Sequence, residues 1–244
     1  MSLENVIEEA RISLAATFRW AARLGYHEGI CNHFSLMVPG RDDLFLINAH
    51  GMHWSQITAS SLMLLNSEGE IVEGEGRIED TALYIHWRVH RALPQARCVL
   101  HTHMPYATAL TSLQDQTLHM SNQNCLRFHD RIVYDDAYNG LALDNDEGDR
   151  IAAALGSRDV MFMGNHGILV VGQSLANAWD DLYYLERACE NQVLAMSTGL
   201  PLREIPTQLV QAAKNQILDS PAYGERHLEA LKAVLEREEP DYRL

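Results

Sequence analysis

Apolar residues recur at intervals of three and four in several long stretches of the chain, the pattern of an amphipathic helix. In the first stretch, residues 4–24, Ile7, Leu14 and Phe18 fall on one face, and Gly25 marks the end. This pattern predicts helices over 4–24, 80–93, 145–155, 174–198, 206–218 and 225–238. A further short helix is predicted at 58–62.

Shorter apolar runs bounded by turn residues predict β-strands between these helices. They span 33–38, 44–48, 98–103, 131–134, 160–163 and 168–171, with a hairpin turn at 39–43. The polar, irregular segment 115–143 is predicted to form a lid or a subunit contact. No repeat or low-complexity linker divides the chain. We therefore predict one α/β domain over 1–244, with 200–244 as its C-terminal helical extension.

The long helix 174–198 has two different faces. Its apolar stripe is expected to pack on the sheet, and its acidic side chains to cover the opposite side. The stripe consists of Trp179, Leu182, Leu185, Cys189 and Val193, and the acidic face of Asp180, Asp181, Glu186 and Glu190.

Composition and charge narrow the class of protein. With 47% apolar and 21% charged residues, the chain can bury a substantial core. Its 33 acidic and 19 basic residues give a net charge of −14 without a basic cluster, so nucleic acid and anionic membranes are not expected as partners. We see no spanning segment and no export signal, and four cysteines without a CxxC motif suggest reduced thiols, so we expect a cytoplasmic protein.

Two of the twelve histidines, His101 and His103, stand two apart in a predicted strand. Residues at that spacing point to one face about 7 Å apart, which suits a shared metal ion. His166, in a turn between Gly164 and Gly167, is the natural third ligand. Three imidazoles with an open fourth position would form a catalytic metal site. Such a ligand set accepts zinc, manganese, iron or cobalt.

Other readings of the histidines compete with this one. An HxH pair by itself is weak evidence, since one histidine can be buried and the other solvated. His86 and His90, four apart on a helix, also have a metal-binding spacing, but apolar neighbours surround them and no HExxH motif is present. We expect one of them to pack against the sheet and the other to be solvated.

Several motifs in order along residues 5 to 200 resemble the class II aldolase/adducin family, including its adducin-like branch. They are Asn32-His33-Phe34-Ser35, Leu46 to Met52, Val99-Leu100-His101-Thr102-His103, Asn165 to Gly172, and Tyr184 to Glu190. The resemblance implies a three-layer αβα sandwich with a central, largely antiparallel sheet, and a homotetramer. It also implies a zinc ion held by His101, His103 and His166, which polarises substrate oxygens so that a neighbouring C–C bond can break.

The chain departs from the sugar-phosphate aldolases of that family at the catalytic glutamate. The family glutamate precedes a helical histidine by four residues and the first metal histidine by nineteen, which is Ala82 here. Glu79 and Asp80 are close by, but on a helix they need not point toward the metal. The phosphate-gripping serine pair falls on Asp80 and Thr81, and an aspartate repels a phosphate dianion.

These features predict a metal-dependent carbon–carbon lyase, an aldolase or decarboxylase, acting on a small non-phosphorylated hydroxy- or oxo-acid. Decarboxylation is slightly favoured, because loss of carbon dioxide needs no base on carbon. The alternatives are an adducin-like, non-catalytic binding or scaffold protein with a retained metal site, and a true aldolase in which Asp80 or a histidine replaces the glutamate.

A histidine is the best candidate for the group that protonates the product carbon. We predict His33, His50 and His129 as catalytic residues. The first two occupy positions that resemble the family's substrate-binding loops. The third lies in the irregular segment, from which the family's neighbouring subunit often lends a residue. Further candidates there are His119, Tyr134 and Tyr138.

Overall fold

A computed structural model describes residues 2–220 and 222–244 and is built around one eight-stranded sheet. The strand order is β4-β3-β2-β1-β5-β8-β7-β6. The strands are β1 (His33–Met37), β2 (Leu44–Asn48), β3 (Leu62–Asn66), β4 (Ile71–Glu73), β5 (Cys98–Thr102), β6 (Ile132–Asp135), β7 (Val160–Met163) and β8 (Gly167–Gly172).

Every neighbouring pair in this order is antiparallel except β6 and β7. Those two are parallel because α5 lies between them and returns the chain to the end of the sheet at which β6 began. β1 and β5, although 65 residues apart at their first residues His33 and Cys98, are direct neighbours at the centre of the sheet.

Helices cover both faces of the sheet, so the predicted three-layer αβα sandwich with a largely antiparallel sheet is confirmed. α1, α4, α6 and α8 pack over one face, and α3 and α5 over the other. The helices are α1 (Leu3–Leu24), α2 (Asp80–Ala82), α3 (Arg88–Ala92), α4 (Pro105–Thr111), α5 (Asn145–Leu155), α6 (Leu175–Met196), α7 (Thr207–Leu218) and α8 (Tyr223–Glu238).

α2 and α3 form one continuous helical stretch, joined by a π-helical turn at Leu83–Trp87. π-Helical turns are rare and are found frequently at functional sites, since they re-aim side chains relative to a regular helix. This turn carries His86, whose surroundings are described below.

β3 and β4 lie outside the predicted strands. The first four residues of β3 are all buried, so the strand is an apolar run without alternation. Periodicity cannot distinguish such a short run from part of a helix. The helix expected at 58–62 is reduced to a 3-10 turn at Ala59–Ser61.

The prediction for the acidic face of the long helix, α6, is wrong for three of its members: Asp180, Asp181 and Glu186 are buried. The apolar stripe does face the core, but α4, α8 and the turn Asn124–Phe128 cover much of the rest of the helix. The aspartates are tolerated there because arginines pair with them: Arg127 with Asp180 and Arg131 with Asp181.

The C-terminal segment packs back onto α1. The indole N–H of Trp20 donates to the Leu231 carbonyl at 3.0 Å, and Arg19 pairs with Glu239 at 3.1 Å and with Asp241 at 2.7 Å. These contacts join the C-terminal segment to the first helix. That 200–244 is a helical extension of the main domain stays a prediction. Across the described residues, no helix combines the length and apolarity needed to cross a bilayer.

Candidate metal centre

Three histidines converge at one end of the two central strands β5 and β8. His101 is the second-to-last residue of β5, His103 follows that strand directly, and His166 immediately precedes β8. One ligand nitrogen from each lies within 4.8 Å of the other two, and the ring centroids are 4.8 to 5.2 Å apart. The antiparallel pairing of β5 with β8 brings the end of one strand to the start of the other, which creates this cluster.

The β7–β8 turn aims His166 at the cluster. Asn165 adopts the left-handed conformation, with φ of 58°, that reverses the chain within the turn. Gly167 is needed for close approach: a Cβ there would lie 2.6 Å from Cδ2 of His103 and 2.9 Å from the Thr102 carbonyl oxygen. The glycine therefore leaves the space that the His103 ring occupies.

The hydrogen bonds of two of these histidines fix which nitrogen faces the cluster. Nδ1 of His101 donates to the Ile168 carbonyl at 2.9 Å, and Nδ1 of His103 donates to Oε2 of Glu28 at 3.1 Å. In a neutral ring the other nitrogen, Nε2, then carries the lone pair. Nε2 of His103 is buried without a hydrogen-bond partner among the described residues. An orphaned lone pair facing two other imidazoles fits a divalent metal ion.

Two histidines of the cluster, His101 and His166, are kept neutral by their surroundings, as metal ligands must be. Burial, together with the neighbouring imidazoles, lowers the pKa of His101 well below its usual value. Burial, with His103 as a secondary cause, lowers the pKa of His166 to about 4. Both rings are therefore unprotonated at neutral pH, with lone pairs available for a cation.

A carboxylate joins two of the predicted catalytic histidines beside this cluster. Oε2 of Glu79 accepts hydrogen bonds from Nε2 of His33 at 2.7 Å and from Nδ1 of His50 at 3.3 Å. His33 is the register partner of His101 across β1 and β5, so the two side chains share a face of the sheet. The hydrogen bond from His33 is the main cause that lowers the pKa of Glu79 to about 2.

The expectation that Glu79 need not point toward the metal site assumed a helical position. Glu79 is instead the N-cap of α2, with extended backbone at φ −74° and ψ 135°, and its carboxylate contacts His33. Its side chain consequently does not follow the helical face. Asp80, one residue later, is exposed at the first position of the helix.

His86 and His90 are both buried, so the expectation that one of them is solvated is wrong. Both bond to Ser35 on β1: its Oγ lies 2.7 Å from Nδ1 of His86 and 2.7 Å from Nε2 of His90. Nδ1 of His90 donates to the Ala96 carbonyl, so its Nε2 accepts the Ser35 proton. Ser35 has no second proton, and His86 must then donate from Nδ1.

His119 and His129 lie away from the metal cluster within the chain. They line a separate cavity of about 370 Å³, where His119 pairs with Glu204 at 2.8 Å and His129 with Asp130 at 3.3 Å. His129 precedes β6, whereas the metal cluster lies by the far end of β7, the parallel neighbour of β6. Only a neighbouring subunit could bring His129 to a metal centre, and its catalytic role stays a prediction.

The two tyrosine candidates differ in their surroundings. The Tyr134 hydroxyl accepts the backbone N–H of Leu118 at 3.0 Å, and burial raises its pKa to about 12, which indicates a structural role. Tyr138 is 55% exposed and lines a small cavity together with His166. Tyr138 therefore remains available to a ligand near the metal cluster.

Glu28 and Glu186 support the site and were not predicted. Glu186 accepts the backbone N–H groups of Tyr106 at 2.8 Å and Ala107 at 2.9 Å, and so anchors the start of α4 directly after His103. Its place within the family motif Tyr184 to Glu190 was the available signal for this residue. No sequence signal marks Glu28, which lies in the loop between α1 and β1.

Most of the chain is similar to known proteins of one family. Residues 12–193 match the family described as Class II Aldolase and Adducin N-terminal domain. A solved aldolase II superfamily protein from Pseudomonas syringae is 37% identical with a TM-score of 0.89, and the match covers 97% of this chain and 96% of that one.

Two relatives extend the comparison. A Caulobacter vibrioides protein, provisionally classed as an aldolase class 2 protein, is 34% identical over 99% of this chain and 96% of its own. The decarboxylase NovR of Streptomyces niveus is 32% identical over 83% of this chain and 75% of its own.

Proposed function

The chain belongs to the class II aldolase and adducin family, and we propose that it is a metal-dependent carbon–carbon lyase acting on a small, non-phosphorylated hydroxy- or oxo-acid. The observation that carries the proposal is the convergence of His101, His103 and His166, one strand away from the hydrogen-bonded pair of His33 and Glu79. A metal ligand set and an acid–base group at one strand end are the two elements that such a lyase needs.

The number of ligands favours catalysis over a structural metal. Structural zinc sites are closed by four protein ligands, whereas catalytic sites keep one position for water or substrate. Among the described residues, the cluster of metal-binding side chains contains three histidines and no fourth group. A fourth position is therefore free for the adjacent oxygens of a hydroxy- or oxo-acid.

The residues of the chain divide the chemistry between them. A divalent ion bound by the three histidines would act as a Lewis acid on substrate oxygens. Glu79 accepts hydrogen bonds from His33 and His50 and so orients these two histidines, which would exchange protons with the substrate. In this proposal the cluster Glu79–His33–His50 replaces the family glutamate that is absent at Ala82.

Charge supports a substrate without a phosphate. Glu79 and the exposed Asp80 place two adjacent carboxylates at the start of α2, where the family's phosphate-gripping serines would begin. Two negative charges oppose the binding of a phosphate dianion. A hydroxy- or oxo-acid avoids this repulsion, because its charged end can bind at the metal.

Two observations favour decarboxylation slightly over aldol cleavage. Ala82 leaves the site without the family base, and loss of carbon dioxide does not require proton removal from carbon. NovR, a relative that is named a decarboxylase, matches over most of this chain. Aldol cleavage with His33 or His50 as the base remains within the proposal.

We further propose zinc as the metal, a cytoplasmic location and a homotetramer. Three neutral imidazoles form a common ligand set for zinc. In a tetramer, His129 of one subunit would have a route to the metal centre of another, which a single chain does not offer.

The second candidate function is a non-catalytic, adducin-like binding protein. The Ala82 substitution favours it, since the family's catalytic carboxylate is missing at that position. Under this alternative the metal would stabilise the fold, and no substrate would be turned over.

Metal content is the first test of the proposal. The protein, purified without added metal, is analysed by elemental analysis beside His101→Ala and a control, His53→Ala, whose ring hydrogen-bonds to Ser55 and does not belong to the cluster. We expect about one equivalent of a divalent ion in the wild type and control, and its loss in His101→Ala. Absence of metal from all three, even after metal is offered, would remove the lyase proposal.

A substrate screen then separates the two functions. The metal-loaded protein is incubated with panels of 2-hydroxy, 2-oxo and aromatic acids, and release of carbon dioxide or aldehyde is measured. Turnover that disappears in both His101→Ala and Glu79→Gln supports the lyase. Stoichiometric metal without turnover of any acid would favour the binding protein.

A further inference from the structure

The loop between α1 and β1 is hydrogen-bonded to the end of β5 at Thr102 and His103. The Thr102 hydroxyl donates to the Tyr26 carbonyl, and the His103 backbone N–H donates to Oδ1 of Asn32 at 3.4 Å. Asn32 is buried and adopts a left-handed φ of 74°, which is uncommon for a residue other than glycine. The loop therefore has a defined position relative to His103.

Within this loop, a short bridge presents Glu28 to the metal cluster. The Cys31 N–H donates to the Glu28 carbonyl at 2.9 Å, which closes a tight turn. The Glu28 side chain then reaches back, so that Oε2 lies 3.1 Å from Nδ1 of His103. A carboxylate can only accept here, and the hydrogen of a neutral His103 ring is therefore held on Nδ1.

His101 and His103 each donate a hydrogen bond from Nδ1, and the two acceptors differ in charge. His101 donates to a neutral backbone carbonyl, that of Ile168, whereas His103 donates to an ionisable side chain. A carboxylate acceptor orients the ring and raises the basicity of the opposite nitrogen. That nitrogen, Nε2 of His103, is the buried atom without a partner.

We propose that Glu28 is a positioning residue for the metal centre, which fixes the tautomer of His103 and strengthens metal retention. The inference rests on the proposed metal site. Loss of a carboxylate partner of a ligand histidine typically weakens metal binding 10- to 100-fold. The Glu28 side chain is 63% exposed, so water competes for it, and we expect about tenfold, the lower end of that range.

Metal affinity is measured by competition with a zinc chelator for the wild type, Glu28→Gln, Glu28→Ala and His103→Ala. Glu8→Gln, an exposed glutamate on α1, is the charge-matched control. We expect about tenfold weaker zinc binding in Glu28→Ala, a smaller loss in Glu28→Gln, whose amide oxygen still accepts from Nδ1, and no change in Glu8→Gln. Wild-type affinity in both Glu28 variants, with binding lost in His103→Ala, would overturn the role of Glu28 and leave the metal site intact.

A second readout uses the metal-free protein and does not depend on the proposed function. The ¹⁵N chemical shifts of the imidazole nitrogens report which one carries the hydrogen. We expect His103 with its hydrogen on Nδ1 in the wild type, and a measurable fraction with the hydrogen on Nε2 in Glu28→Ala. An unchanged Nδ1–H tautomer in Glu28→Ala would overturn the positioning role even if the protein binds no zinc.

Discussion

Oε2 of Glu79 lies 2.7 Å from Nε2 of His33. Because His33 is paired across the sheet with His101, this contact places a carboxylate one strand away from the metal cluster. The family carboxylate would be expected at Ala82, three residues later. A carboxylate at the N-cap of a helix thus holds His33, a candidate acid–base group, whereas the family carboxylate lies inside the helix.

The first prediction concerns the acid stability of the fold. The hydrogen bond from His33 lowers the pKa of Glu79 to about 2 in the folded protein. An acid with a lowered folded pKa stabilises the fold above its unfolded pKa, and this stabilisation is lost as the pH falls toward the folded value. For Glu79 the window runs from its ordinary value near 4.5 down to about 2.

We therefore expect Glu79→Gln to flatten the stability profile between about pH 5 and pH 2, by on the order of 2 kcal/mol once solvent screening is allowed for. Urea unfolding at several pH values measures this difference. Glu70→Gln, at an exposed turn, is the control. If wild type and Glu79→Gln lose stability in parallel across this window, the ionic contact with His33 is not formed.

The second prediction concerns Gly167, where any side chain would meet the His103 ring. We expect Gly167→Ala to displace that ring, to lower metal affinity at least tenfold, and to cost about 1–3 kcal/mol of stability through overpacking. Gly172→Ala, at the other end of the same strand, meets the Ala178 backbone at 3.0 Å and is the matched control. It should lose stability but keep metal; equal metal loss in both variants would contradict the role of Gly167.

The third prediction concerns Ser35, whose hydroxyl joins His86 and His90. Removing it leaves two buried ring nitrogens without a partner, each costing about 1–3 kcal/mol. We expect Ser35→Ala to be destabilised by about 2–4 kcal/mol in urea unfolding, against less than about 0.5 kcal/mol for Ser197→Ala on the exposed end of α6. Near-equal stabilities of the two variants would show that the three side chains are not hydrogen-bonded as described.

The fourth prediction concerns Glu186, whose pKa is raised to about 7, mainly by burial. Here the sign is reversed: between about pH 4.5 and 7 the folded state holds a proton that the unfolded state has released, so stability falls as the pH rises. We expect this fall to be smaller in Glu186→Gln, and unchanged in Glu229→Gln, an exposed residue of α8. Thermal unfolding at pH 5 and pH 7.5 measures it, and an equal decline in wild type and Glu186→Gln would contradict the raised pKa.

Local pattern was sufficient for most of the secondary structure. The spacing of apolar residues, with stops at Gly25 and Gly156, predicts most helices to within a few residues, because an amphipathic helix is a local consequence of burying one face. The pattern failed at β3, where burial on both faces removes the alternation.

The three histidines proposed as metal ligands could also be read from the sequence, since a strand fixes the side on which residues two apart emerge. His101 and His103 needed only that local rule, and His166 needed a turn that a short sequence motif marks. Family resemblance then supplied the order of the layers, which periodicity alone does not contain.

The acidic partners of His103 and His33 were decided by the tertiary structure alone. Glu28 is 75 residues from His103, and Glu79 is 46 residues from His33. Contacts over such separations depend on which strands pair, in which register, and on how the intervening loops turn. Periodicity describes one segment at a time and contains none of that information. The sequence by itself thus determined the helices, most strands and the three histidines, while the contacts of Glu28 with His103 and of Glu79 with His33 were set by strand pairing and by the course of the loops before β1 and α2.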